Sequence, residues 1–168
     1  LLDLVQYQTV QAGDTLFLRA GTIHALGPGL LLYEVQQTSD LTYRVFDWNR
    51  PQTATRKLHI EQSLAVADPA ITAPVTPVPA LGDGDRRTLV TCEYFTLELL
   101  AGRTRTIDLD TQGESFHAIT LIEGQAEIES AQERLTLRRF ETVVVPAETG
   151  AYHLRPLGGM RALKSSVA

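Results

Sequence analysis

The sequence predicts an all-β protein, and three observations point that way. Short runs rich in Val, Ile, Leu, Thr and aromatic residues recur along the chain, each closed by Gly, Pro or Asp. Only one segment, residues 58–67, places apolar residues at helical spacing, with Leu58, Ile60 or Glu61, Leu64 and Ala65. A proline-rich stretch divides the chain, and both sides of it read as β. Many short strands with tight turns and little helix belong to a sandwich or a barrel.

In chain order, strands are expected at 14–18, 30–35, 41–46, 89–100, 104–108, 116–122, 125–129, 134–137, 142–145 and 151–155. The first, Asp14-Thr15-Leu16-Phe17-Leu18, is followed by Gly21-Thr22-Ile23-His24 and the sharp turn Gly27-Pro28-Gly29. That turn is expected to bring residues 30–36 back beside the segment bearing His24, as a hairpin-like unit. A strand repeats every two residues, so Leu32, Glu34 and Gln36 share one face, and Thr42, Arg44 and Phe46 share another. Spacing leaves open whether those polar groups meet solvent or line a lumen. Ile122-Glu123-Gly124-Gln125 has the composition of a hairpin turn.

Residues 69–79 hold four of the eight prolines and lead into Gly82-Asp83-Gly84-Asp85. Proline fixes φ and lacks a backbone donor, so an extended connector is expected there. The resulting division is 1–68, a linker at 69–85, and 86–168. A faint repeat spans it. Asp14-Thr15 leads into an apolar run and then His24, as Glu141-Thr142 does into His153, which suggests two related β units.

At 168 residues, with 43% hydrophobic and 21% charged side chains, one domain or two small ones can be built. A net charge of −5 argues against nucleic acid or an anionic membrane as partner, since both call for a basic patch. No apolar run approaches the roughly 20 residues of a membrane span. One cysteine, Cys92, cannot close an internal disulfide; it reads as a core thiol in a reducing, cytoplasmic setting. The chain opens Leu1-Leu2-Asp3-Leu4-Val5, an apolar strand-like run without Met or a signal-peptide pattern. It reads as a piece of a longer protein.

Four histidines are available for chemistry. His59, near the start of the helix, reads as a surface or packing residue. His117 and His153 each stand in a strand without a second ligand nearby, and read as hydrogen-bonded core or rim groups. His24 stands out by its neighbours, because Glu34, Gln36, Gln37, Asp40, Arg44, Asp47 and Arg50 follow it among apolar residues. No Gly-rich phosphate loop, Gly-x-Ser-x-Gly elbow or His-Glu-x-x-His pair is present. The pairs Arg86-Arg87 and Arg138-Arg139 read as solvated strand or loop ends.

The run Gly13-Asp-Thr-Leu-Phe-Leu-Arg-Ala-Gly-Thr-Ile-His-Ala-Leu-Gly-Pro-Gly29, continuing to Tyr43-Arg44-Val-Phe-Asp-Trp-Asn-Arg50, closely resembles the type I mannose-6-phosphate isomerases in their short bacterial form. The likeness is specific over about residues 10–66 and weaker from 86 onward. It implies a cupin fold, a jelly roll of antiparallel strands, with a partial first barrel, one short helix and a complete, non-catalytic second barrel. It further implies one catalytic zinc per full-length protein, held by a glutamine, a glutamate and two histidines, and interconversion of mannose 6-phosphate and fructose 6-phosphate. Only the last histidine maps into this chain, onto His24; the other three ligands would lie upstream. Arg44 matches the family arginine placed across the zinc from the substrate, Glu34 matches an acidic residue lining the same cavity, and Arg50 stands where a basic residue near the substrate would fit. A zinc site needs at least three protein ligands, so the chain alone is expected to be inactive. A non-catalytic cupin module that binds a sugar phosphate is the alternative, and an interaction domain the third reading. Unpaired strand edges lead us to expect some edge-mediated self-association.

Overall fold

The computed structural model describes residues 4–168. Of the apolar opening run, Leu1, Leu2 and Asp3 therefore lie outside the described residues. The chain separates into two compact units. One comprises Leu1–Glu34 and Thr38–Val78; the other comprises Val35–Gln37 and Pro79–Ala168.

The second unit holds every strand among the described residues. In chain order these are β1 (Asp85–Thr91), β2 (Phe95–Gly102), β3 (Ile107–Asp110), β4 (His117–Glu123), β5 (Gln125–Ser130), β6 (Arg134–Arg138), β7 (Thr142–Val145), β8 (Ala151–Pro156) and β9 (Met160–Val167). They form a five-stranded sheet in the order β1-β2-β9-β4-β7 and a four-stranded sheet in the order β3-β8-β5-β6. Every pairing is antiparallel.

Alternation explains the two-sheet arrangement. Along β8, Tyr152, Leu154 and Pro156 are buried while Ala151, His153 and Arg155 are exposed. In β3, Ile107 and Leu109 are buried between exposed Asp108 and Asp110. The core draws on both sheets, through Leu100, Ile119, Leu121 and Ala162 from one and Ile128, Tyr152 and Leu154 from the other. Burying one such leucine contributes about 1.5–3 kcal/mol. Outside, polar cross-strand neighbours meet, as in His153 with Asp108, Arg155 with Glu127 and Arg134 with Glu129.

Several expectations need correction. The run 89–100 is two strands, because the chain reverses at residues 92–94, where the Cys92 N–H donates to the Phe95 carbonyl at 3.0 Å. Cys92 is thus half-buried in a turn rather than in the core. The strand expected at 104–108 starts at Ile107, because Asp83 takes the backbone N–H groups of Arg103, Thr104 and Arg105 and holds that segment as a loop. Residues 122–125 do not form a hairpin: β4 and β5 belong to different sheets, so Gly124 (φ 72°) makes a corner between them. A Cβ at Gly124 would collide with the carbonyl of Gly159, which makes glycine obligatory there. Finally, β9 was not among the expected strands, although it lies at the centre of the five-stranded sheet.

In the first unit, α1 (Ile60–Val66) forms inside the expected 58–67. Its buried residue is Ser63, whereas Ile60 and Leu64 are exposed. The strands expected at 14–18, 30–35 and 41–46 do not form among the described residues. Only the isolated bridges Thr15 with Thr76 and Thr53 with Arg56 occur there. A strand's backbone groups need a partner strand to pair with, and propensity alone does not supply one. The Pro28-Gly29 turn forms, with Gly29 at φ 78°, but its flanks do not pair as a hairpin. The proposed repeat therefore has its β character only in the second copy.

Candidate functional site

The four residues singled out by sequence all lie in the first unit. His24 is exposed, and its Nδ1 contacts the Thr22 carbonyl at 2.9 Å. A carbonyl only accepts, so that contact puts the ring proton on Nδ1 and leaves the Nε2 lone pair outward. Glu34 is exposed. Arg44 is half-buried and clasped to His59: its N–H donates to His59 Nδ1 at 3.3 Å, and the His59 N–H donates to the Arg44 carbonyl at 2.8 Å. His59, which also packs a tilted ring against Tyr43 at 6.0 Å, is accordingly a packing residue.

Arg50 is committed elsewhere. Its guanidinium pairs with Asp47, which also receives Arg56 Nε at 2.6 Å and Nη2 at 3.0 Å. These partners, the Arg56 hydrogen bond foremost, hold the buried Asp47 carboxyl at about 2, well below the ordinary carboxylate value. The chain turns sharply here, with Trp48 and Asn49 both left-handed at φ 50° and 56°. Among the described residues, no hydrogen bond or ion pair joins any two of His24, Glu34, Arg44 and Arg50. Nor does any group of three or more His, Cys, Asp or Glu side chains converge as a metal site among them.

A second constellation, not anticipated as a unit, lies in the second unit. Register places Glu98, Lys164 and Ile119 side by side on β2, β9 and β4, and His117 beside Ser166. These positions share the inward face with Leu100, Ala162 and Leu121. Toward one end, the interior therefore changes from apolar to ionisable. Lys164 Nζ and Glu98 Oε2 meet at 2.5 Å with their side chains only 10% and 13% exposed. His117 is buried, and its Nδ1 shares a 2.7 Å hydrogen bond with the Tyr152 hydroxyl of the facing sheet. Burial, and then the nearby Lys164, push the His117 pKa down; burial pushes the Tyr152 phenol up. Both rings are consequently neutral near pH 7. Glu98, His117 and Lys164 line a hollow of about 300 Å³, with Arg86, Asp110, Glu114 and Ser166 also on its wall.

Sequence reading took His117 correctly as a hydrogen-bonded core group. It missed Glu98 and Lys164 because each sits in a run read for its apolar residues or not read at all. The usable signal was Met160, Ala162, Lys164 and Ser166 at period two, with Lys164 where an apolar residue is due.

Residues 85–165 match the family model described as mannose-6-phosphate isomerase, cupin domain. The chain is 34% identical over 142 residues to a mannose-6-phosphate isomerase of Streptococcus mutans, covering 82% of this chain and 44% of that one. It is 30% identical over 158 residues to a mannose-6-phosphate isomerase of Bacillus subtilis, covering 90% and 49%. A probable mannose-6-phosphate isomerase of Bacillus subtilis is 39% identical over 92 residues, covering 52% and 29%. The chain thus spans about half the length of the first two relatives.

Proposed function

Residues 85–165 belong to the mannose-6-phosphate isomerase cupin domain, and from that premise we propose that this chain is the C-terminal portion of a zinc-dependent isomerase acting on mannose 6-phosphate and fructose 6-phosphate. The likeness to a mannose-6-phosphate isomerase across 82% of the chain carries the reading, because it runs through both units. The second unit is an all-β cupin barrel, and in this reading it is non-catalytic. The first unit brings residues to the catalytic barrel.

His24 suits one ligand position, since its free Nε2 is the nitrogen a zinc ion takes. One donor does not make a site, and among the described residues no group of three converges, so in this reading the remaining ligands come from outside this chain. A bound zinc supplies Lewis-acid polarisation of the sugar carbonyl. The chain's own residues would do the rest. The Arg44 guanidinium, on a backbone clasped to His59, would stabilise negative charge on the enediol oxygens without giving up its proton. Glu34 would carry the proton between C1 and C2. Arg50, in this reading, would leave Asp47 to meet the substrate. The compartment we take to be the cytoplasm, where Cys92 stays a free thiol. Among the described residues no helix is long and apolar enough to cross a membrane.

The test is isomerase turnover by the parent protein and by this chain. Expected are turnover by the zinc-loaded parent, none by the chain, and loss of both zinc and activity in His24→Ala parent. Turnover by the chain alone would overturn its proposed inactivity. Full activity of the His24→Ala parent would remove the zinc-ligand role.

A further inference from the structure

We propose that the polar end of the second unit's barrel binds a small, neutral, polyhydroxylated molecule of monosaccharide size, separately from any chemistry at His24. A sheet interior normally excludes ions, because an ion leaving water costs several kcal/mol unless it is paired. Here three ionisable side chains, Glu98, His117 and Lys164, occupy inward positions beside a hollow that well-packed apolar side chains would close. The fold thus keeps both buried charge and empty volume at one place, and a ligand site accounts for both.

The lining selects the ligand. About 300 Å³ lies at the small end of ligand cavities, which suits one sugar-sized molecule. Arg86 and Lys164 line it together with Glu98, Asp110 and Glu114, so the charges leave no excess for a phosphate or sulfate. Donors and acceptors both line it, which matches hydroxyl groups, since each gives one hydrogen bond and accepts others. A metal ion is a poor occupant, because the Lys164 ammonium already holds the Glu98 carboxylate and no three-donor group is found among the described residues. His117 Nδ1 is taken by Tyr152, which leaves Nε2 for the ligand. Such a site recognises a cyclic sugar or an open-chain polyol by the same chemistry.

Titration calorimetry on the 168-residue chain tests this in chelator-containing buffer, with D-mannose, D-mannitol and inorganic phosphate as probes. Saturable binding of mannose or mannitol is expected, the stronger of the two identifying the ring or the open-chain form, and phosphate should not compete. Removing the buried pair together, as Glu98→Met with Lys164→Met, should leave the thermal midpoint unchanged or raised while weakening binding about tenfold or more. Arg86→Gln, an exposed change on β1 that the fold tolerates, should weaken binding a few-fold. The His24→Ala chain should bind as the parent sequence does, so this result is independent of the isomerase reading. Absence of saturable binding by both probes, affinity unmoved by the double variant and Arg86→Gln, or tighter binding of phosphate would each overturn the proposal.

Discussion

In the second unit, residues 151–156 read Ala-Tyr-His-Leu-Arg-Pro and alternate exposed and buried along β8. In the first, residues 30–34 read Leu-Leu-Leu-Tyr-Glu, are at least as strand-like, and form no strand among the described residues. The difference lies in neighbours. β8 has β3 on one side and β5 on the other, whereas Leu31 is 82% exposed and Leu41 is 73% exposed. Composition makes a strand available, and pairing makes it real. The first unit is held instead by scattered links, such as the Arg44–His59 clasp, the Asp47 ion pairs and the Thr15–Thr76 bridge.

The contrast can be broken most severely at Gly124. Gly124→Ala forces a methyl into the Gly159 carbonyl and should cost about 4–5 kcal/mol, the exceptional range for one substitution. Gly113→Ala, at φ 74° with open space around it, should cost about 1 kcal/mol. Chemical denaturation of the two variants compares them directly. Next in size is Leu154→Ala, which empties a fully buried site and should cost about 2–5 kcal/mol. Its counterpart Leu31→Ala in the first unit should stay within about 0.5 kcal/mol. Similar losses at both leucines would contradict the difference between the units.

A smaller effect separates them by pH. His117 is ordinarily protonated near 6.5, but burial and Lys164 lower its pKa in the folded state. Below that ordinary value the unfolded chain takes up a proton that the folded chain does not, so stability should fall as pH drops, until folded His117 itself protonates. Replacing His117 by Gln should flatten this acid branch in thermal melts taken between pH 7.5 and about 5.5. In the first unit the sign follows Asp47, whose pKa is lowered to about 2. Its contribution is present above the usual carboxylate value and is lost as pH falls toward about 2. Asp47→Asn should therefore loosen residues 47–56 near neutral pH, seen as faster amide exchange there, with the second unit unchanged.

These two regions also show what the sequence could and could not convey. Strands β4 to β8 were legible from period two and from Gly and Pro punctuation. β9 was not, because Lys164-Ser165-Ser166 reads as a polar tail until its register beside Glu98 and His117 is known. The corner at Gly124 looked like a hairpin because a turn's composition does not say which sheet the next strand joins. At the candidate site, the Gly13–Arg50 run identified His24 and Arg44 as a pattern. It did not show that Arg50 would fold back on Asp47, since that depends on the left-handed turn at Trp48 and Asn49.

Amide hydrogen exchange, measured on this chain and on the proposed full-length parent under the same conditions, tests most directly the claim that the proposed catalytic residues sit in a unit whose strands need partners. In the chain, β2, β4, β8 and β9 should exchange slowly while 14–18, 30–35 and 41–46 exchange fast; in the parent, those three segments should become protected. Strong protection of the three segments in the chain alone, or none in the parent, would contradict it.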